Sequence, residues 1–399
     1  MPWEGVTMKE QRQNLIRDYL LNYYSVTELS ERFTVSRKTA HKWINRFNEF
    51  GQNGFAELSR RPHTCPHQTP PEVREALIEI RQKHERWGPL TLLDKIAEGH
   101  PDWTMPAKST VCRILKDADL VKPRHRGRRL HPGCPKSQAT EPNEIWAADY
   151  KGQFRLRNSS YCFPLTVSDL AVRFLLGCDA HPAVSLERTM RYFKRLFQEY
   201  GLPQRIRTDN GVPFASNALA RLSRLSVWFI TLGIYPELIE PGHPEQNGIH
   251  ERMHRTLKAE ACIPPEYSLA RQQARFDAFR HEFNHERPHQ ALGMKRPAQL
   301  YQPSPREFPS KTPSYDYPNH YLVRRVSRQG AIRVFCNQIF VATPLMEHYV
   351  GLEEIDDGVY DLYFCFYHIG RYHHRKNKLE GVISKVNAGR RLADRPERV

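Results

Sequence analysis

No stretch of this chain approaches the ~18 consecutive apolar residues of a membrane-spanning helix, so a transmembrane segment is not expected. Paired cysteines are missing too. The eight cysteines, at 65, 112, 134, 162, 178, 262, 336 and 365, are scattered and form no C-x-x-C unit. That spacing argues against a disulfide framework. His63 and His67 lie near Cys65, but no second close pair completes a tetrahedral zinc site with Cys112. The first ten residues carry Glu4, Lys9 and Glu10 and lack the apolar run of a secretion signal, so a cytoplasmic protein is expected. Acid is in deficit as well. There are 44 Asp and Glu against 60 Lys and Arg, a net charge of +16 and a pI near 9.5. Such a surplus suits a polyanionic partner, most commonly nucleic acid, although a membrane-surface or ribosomal protein has the same balance. The length of 399 residues implies roughly two to four domains.

What is present begins with helices. Apolar residues at helical spacing run through 8–24. Thr27–Phe33 then reads as a short helix capped by Ser25 or Thr27, with a turn at Thr34-Val35 and a second helix capped by Ser36. That second helix buries Ala40, Ile44 and Phe47 and exposes Arg37, Lys38, His41, Lys42 and Asn45. Residues 1–57 are therefore expected to be a helix-turn-helix whose cationic face suits the DNA major groove, the alternative being a three-helix domain that binds protein. Residues 71–121 repeat the pattern in degenerate form, with a sharp Trp87-Gly88-Pro89 turn and a recognition-like helix at 109–116. From Lys122 to Lys136 there are six Lys or Arg and no acid. Residues 122–140 thus read as a basic linker, and Arg124, Arg126, Arg128 and Arg129 are candidate phosphate contacts.

From Asn143 onward the pattern changes to short strands. Strands are expected at 144–152, 161–169, 174–178, 204–208 and 237–240, with helices at 185–200 and 217–232 between them. This is a mixed α/β arrangement, a sheet flanked by helices. The segment Pro241–Lys258, PGHPEQNGIHERMHRTLK, reads as a proline-braced turn feeding a helix. Helical spacing puts Glu251, His254, Arg255 and Lys258 on one side of it. A carboxylate there can hold a metal ion, while Arg255 and Lys258 can hold DNA phosphates.

Three motifs in order carry a resemblance: Trp146-Ala-Ala-Asp149-Tyr, then Thr208-Asp209-Asn210-Gly211, then the segment from Pro241 to Glu251-Arg252. Together they resemble the integrase core of retroviral integrases and of DDE transposases from bacterial insertion sequences. The closing run Asn284–Gly293 with Pro297, Ala298 and Tyr301 is similar to the end of that core, so the resemblance spans about residues 140–302. It implies a ribonuclease-H-like catalytic domain at 141–302, with Asp149, Asp209 and Glu251 as catalytic residues and metal ligands. It also implies Mg2+ (or Mn2+), two ions with DNA bound, and double-stranded DNA as partner. A homodimer or larger synaptic complex follows by analogy. Separately, phosphodiester chemistry by two ions about 3.5–4 Å apart requires carboxylates from several elements to converge, as these three can.

The choice of glutamate has a competitor. Glu245 lies 36 positions after Asp209, the usual family spacing, and Glu251 lies 42. Glu251 is preferred because it follows Gly248 on the helix, which makes the longer gap an insertion near 221–228. Asp169 and Glu240 read as a strand-end turn residue and an ion-pair partner. His243 and Asn247 can assist locally, although loop residues of these types more commonly satisfy backbone groups. Beyond a Pro-rich 303–318, short strands over 319–386 suggest a small β-barrel that binds DNA or mediates self-association. The expected protein is a transposase that binds the terminal inverted repeats of its element and catalyses cleavage and strand transfer. Two alternatives are a catalytically silent DNA-binding regulator descended from one and a nuclease of RNA–DNA hybrids.

Overall fold

Reciprocal caps start the first two helices. Thr7 with Glu10 and Ser25 with Glu28 each exchange side-chain and backbone hydrogen bonds, an arrangement worth about 1 kcal/mol per helix. In the computed structural model, which describes residues 7–57, 68–121, 137–240 and 243–381, contacts divide the chain into Met1–Pro70 and Pro71–Val399. The first unit holds α1 (Met8–Leu20), α2 (Val26–Arg32) and α3 (Arg37–Phe50). Thr34 turns the chain between α2 and α3 at φ 51°, and Ser36 caps α3. Leu15, Ile16, Ala40, Ile44 and Phe55 form the core, with Phe47 half-buried against it. The α3 pattern is wider than its sequence suggests. Trp43 is also buried, with the Arg12 guanidinium 3.9 Å and that of Arg46 4.7 Å from its ring.

The second unit opens with α4 (Pro71–Lys83), α5 (Pro89–Gly99) and α6 (Lys108–Asp117), packed around Leu77, Trp87, Leu92, Val111 and Leu115. Arg81 donates to the Trp87 carbonyl at 2.6 Å and the Leu120 carbonyl at 3.1 Å, which ties this three-helix group together.

A mixed sheet follows, built of β1 (Ile145–Tyr150), β2 (Phe154–Arg155), β3 (Tyr161–Asp169), β4 (Leu175–His181), β5 (Arg205–Thr208) and β6 (Tyr235–Leu238). The expected meander is present: β3 is antiparallel to both β1 and β4, while β1, β5 and β6 run parallel. Helices α7 (Leu186–Tyr200) and α8 (Arg224–Thr231) cover one face through Phe193, Phe197 and Phe229. On the other side, α9 (Gly248–Leu257) and α10 (Leu269–His281) bring Met253, Leu257 and Phe276 against Leu175 and Cys178, and a short α11 (Pro297–Leu300) closes the domain.

Two stretches read as linkers pack on this domain. Ser137 donates to both Glu237 oxygens at 2.8 Å, and Arg306 donates to the carbonyls of Pro203, Leu232 and Gly233. Arg207 on β5 and Glu237 on β6 form a pair 3.2 Å apart, each side chain 3% exposed. Arg207 also donates to the Gln246 carbonyl at 3.0 Å, pinning the turn ahead of α9. Glu237→Ala strands that guanidinium, so urea denaturation is expected to show a loss of about 3–5 kcal/mol. A loss below about 1 kcal/mol would mean that water reaches Arg207.

The C-terminal segment departs from its expectation. β7 (Leu322–Arg325), β10 (Tyr349–Asp356), β11 (Val359–Phe364), β12 (Tyr367–His373) and β13 (Lys378–Gly381) form an open sheet in the order β13-β12-β11-β10-β7, and β8 (Ala331–Val334) pairs only with β9 (Asn337–Phe340). Among the described residues no closed barrel forms. The apolar face is covered by the preceding domain instead, because Ala220, Leu222, Val227 and Ile230 share one core with Ile332, Val350, Leu362 and Ile369. A Cβ on Gly381 would lie 3.0 Å from Leu219, so glycine permits this close approach. Among the described residues no helix is long and apolar enough to cross a membrane.

Candidate active site

The register of two parallel strands sets the centre of the site. Ala148 on β1 faces Thr208 on β5. The next residues, Asp149 and Asp209, therefore leave neighbouring strands about 4.8 Å apart, at the same end of the sheet. Asp209 accepts from the Gly211 amide at 3.1 Å. Asn210 donates to the Ile239 carbonyl and accepts from Arg221, both at 2.8 Å, which holds the turn. Arg221 reaches it from a left-handed kink at Ala220 and Arg221, φ 52° and 56°, where the sequence had suggested a continuous helix. An open groove of about 1090 Å³ begins at this turn, lined by Asn210, Ser216, Arg221 and Arg224.

Helix α9 is docked beside these acids by two buried histidines one turn apart. Thr166 Oγ1 lies 2.9 Å from His250 Nε2 and 2.6 Å from His254 Nε2, and 3.2 Å from the Asp149 carbonyl. His250 Nδ1 meets Ser168 Oγ at 2.6 Å. One proton arrangement satisfies all of them: both imidazoles donate Nε2–H to Thr166, which donates onward to the Asp149 carbonyl, while Ser168 donates to His250 Nδ1. His254 Nδ1 is then left as an acceptor 3.6 Å from the Asp149 carboxyl group. Burial holds both rings neutral. It pushes His250 down to about 3, and burial together with His250 pushes His254 down further.

Asp149 is pushed up to about 7, first by burial and then by the Asp209 charge, with Glu251 adding to the effect and Lys151 opposing it. Burial also raises Asp209. Glu251 stands exposed on the first turn of α9. Among the described residues no three acid, histidine or cysteine side chains already form a metal cluster. Glu245 sits in the turn before α9, with its carboxylate 2.7 Å from His243 Nδ1. Asp169 behaves as a turn residue, accepting from the amides of Asn143 at 2.7 Å and Val172 at 3.0 Å. Glu240 lies 3.9 Å from His243. Asn247 is buried, and its Oδ1 has no partner among the described residues.

Arg37, Lys38, His41, Lys42 and Asn45 are all exposed on α3, and Arg255 and Lys258 are exposed along the Glu251 flank. Arg124, Arg126, Arg128 and Arg129 lie outside the described residues. His254 departs from its expected place: helical spacing groups it with the cationic flank, but it is 1% exposed and faces Asp149. Helical spacing gives a residue's neighbours, and which stripe faces the sheet depends on packing. Thr166 and Ser168 on β3 carry functional contacts that local sequence does not reveal. Their one signal is the i, i+4 pair His250 and His254 in line with buried Met253 and Leu257.

Integrase core domain models match residues 139–244 and 232–297. The chain carries an integrase core. A helix-turn-helix domain model matches residues 11–63 and a homeodomain-like domain model residues 39–115, so helical DNA-binding domains precede this core. The chain is similar to an uncharacterized 39.2 kDa protein of insertion element IS476 from Xanthomonas euvesicatoria, 29% identical over 68% of this chain and 76% of that protein. It is also similar to an uncharacterized 31.7 kDa protein of insertion element IS407 from Burkholderia multivorans, 27% identical over 56% and 78% respectively. Among solved structures, the HTLV-2 integrase catalytic core domain in complex with magnesium matches at 16% identity and a TM-score of 0.33. That match covers 41% of this chain and all of that one.

The donor set of this integrase core fits a hard divalent cation. Asp149 and Asp209 offer carboxylate oxygens with few competing partners, and their crowding leaves negative charge that a cation relieves.

Proposed function

We propose that this protein is a transposase. In this reading it binds the terminal inverted repeats of its own insertion element and catalyses divalent-metal-dependent cleavage and strand transfer of DNA. The observation that carries the reading is the pair of aspartates on adjoining strand ends of an integrase core, with Glu251 on the neighbouring helix contributing to the same field. Asp149, Asp209 and Glu251 hold Mg2+ or Mn2+, two ions once DNA is seated. When bound, the metal supplies activation of the attacking water or DNA 3′-hydroxyl and stabilisation of the leaving oxygen. The chain's residues do the positioning. His250 and His254 hold α9 against β3, so Glu251 meets the aspartates at a defined height. Arg255 and Lys258 bind the phosphates that flank the reacting one. The outer face of α3 reads the element ends, and cutting two ends together calls for a dimer or larger assembly.

The test uses full-length protein, Mg2+ and DNA that carries the ends of the element. Metal-dependent nicks at those ends and joined products are expected. Specific binding with no nick would turn the reading to a silent regulator, and cleavage of RNA–DNA hybrids alone would turn it to a nuclease.

A further inference from the structure

A second pocket lies on the other flank of α9, with Ile249, Met253 and Phe283 giving it a largely apolar wall. It measures about 100 Å³, and its walls include Arg173, Arg252, Arg287, Thr256, Ser168 and His289. At about 100° per residue, Thr256 falls across the buried His250–His254 stripe from Glu251 and Lys258, and Arg252 lies on the exposed face next to Thr256, about 100° round from Glu251. The pocket therefore does not share the side of the helix that carries the candidate catalytic glutamate.

Its charge is unbalanced. Arg287 is paired with Glu260 at 3.3 Å. Arg173 and Arg252 have no carboxylate or hydrogen-bond acceptor for their guanidinium groups among the described residues, and both line the same cavity. Burial and the Arg252 charge both push the Arg173 guanidinium below its ordinary range. Arg173 is also held in the left-handed region, φ 60°, in the turn between β3 and β4. His289 is kept neutral by burial, pushed down to about 4, and its Nε2 donates to the Phe283 carbonyl at 3.2 Å. Arg252 is exposed and Arg173 half-buried, and two like charges lining one small cavity are relieved by an anion between them. Guanidinium forks match the oxygens of a phosphate. The volume is well below that of a pocket for a whole nucleotide-sized ligand and suits a single phosphate group.

We propose that this pocket binds phosphate, and that in the assembled complex the occupant is a backbone phosphate of DNA. The first statement stands on the cavity alone, and the second rests on the DNA-processing reading above. Thermal unfolding of the full chain, titrated with sodium phosphate against sodium chloride at equal ionic strength, tests the first. A saturable rise in Tm is expected for the wild type and is expected to vanish in Arg173→Gln/Arg252→Gln. Without phosphate, that variant should unfold no lower than the wild type, because a repulsion has been removed. A flat phosphate titration of the wild type overturns the site. Duplex DNA binding across a salt series tests the second. The double variant is expected to lower the slope of log K against log salt by about 1, the contribution of one phosphate contact. An unchanged slope alongside lost phosphate binding would make the pocket a free-anion site and overturn the DNA assignment. Neither measurement needs strand cleavage, so an inactive protein would still answer both.

Discussion

Asp149→Asn is expected to yield a metal-free protein that is more stable than the wild type and catalytically dead. The carboxyl of Asp149 is raised from an ordinary carboxylate value to about 7 by burial, by Asp209 and by Glu251. A folded value above the unfolded one means that the acid's contribution is fully present below about pH 4. It is lost as pH rises through about 7. Above that pH the ionised side chain is a standing cost. Its side chain is 24% exposed, and water screening brings the cost to roughly 1–3 kcal/mol. Asparagine removes the charge and keeps the shape of the side chain. Urea denaturation in a chelator should therefore show the variant gaining on the wild type from pH 4 to pH 7 and holding that margin at pH 8. Added Mg2+ should raise the wild-type midpoint and leave the variant nearly unmoved. Strand cleavage should fall on the order of 10³-fold, the scale of deleting one preorganised charge partner from a transition state. A variant less stable at pH 8 would refute the electrostatic argument, and retained cleavage would remove Asp149 from the metal site.

Glu251→Gln and Glu245→Gln are expected to separate cleanly. Glu251 follows His250, whose ring is fixed by Thr166 and Ser168, so the first turn of α9 has little freedom to move. Its carboxylate raises Asp149, which makes it the natural third acid for a cation at the two aspartates. Loss of cleavage and joining on the order of 10³-fold is expected for Glu251→Gln, with binding of end DNA retained. Glu245 bonds to half-buried His243 on the turn. Its replacement should leave activity intact and change stability by no more than about 0.5 kcal/mol. The opposite pattern would move the third ligand to Glu245 and preserve the mechanism.

Much of this was legible in the chain because its signals are local. Ser25 with Glu28, and Ser36 three residues before Thr39, announce the N-terminal helices within a single turn. Asp149 lies within a short apolar strand, Asp209 stands in a Thr-Asp-Asn-Gly strand end, and Glu251 follows a glycine at a helix start. A neighbourhood of about ten residues is enough to name each. The long interval between Asp209 and Glu251 was visible as well, but its use was not. It contains the Ala218–Leu222 segment, kinked at Ala220 and Arg221, which meets the C-terminal sheet.

By itself, the sequence determined the strand-rich character of the core, the basic outer face of α3 and the positions of three candidate acids, because each depends on residues close together along the chain. The tertiary structure decided the rest. It turned His254 from the cationic flank to Asp149, brought Arg173 opposite Arg252, and left the C-terminal strands as an open sheet. These outcomes depend on which apolar surface covers which, a competition between segments distant in sequence that no local periodicity encodes.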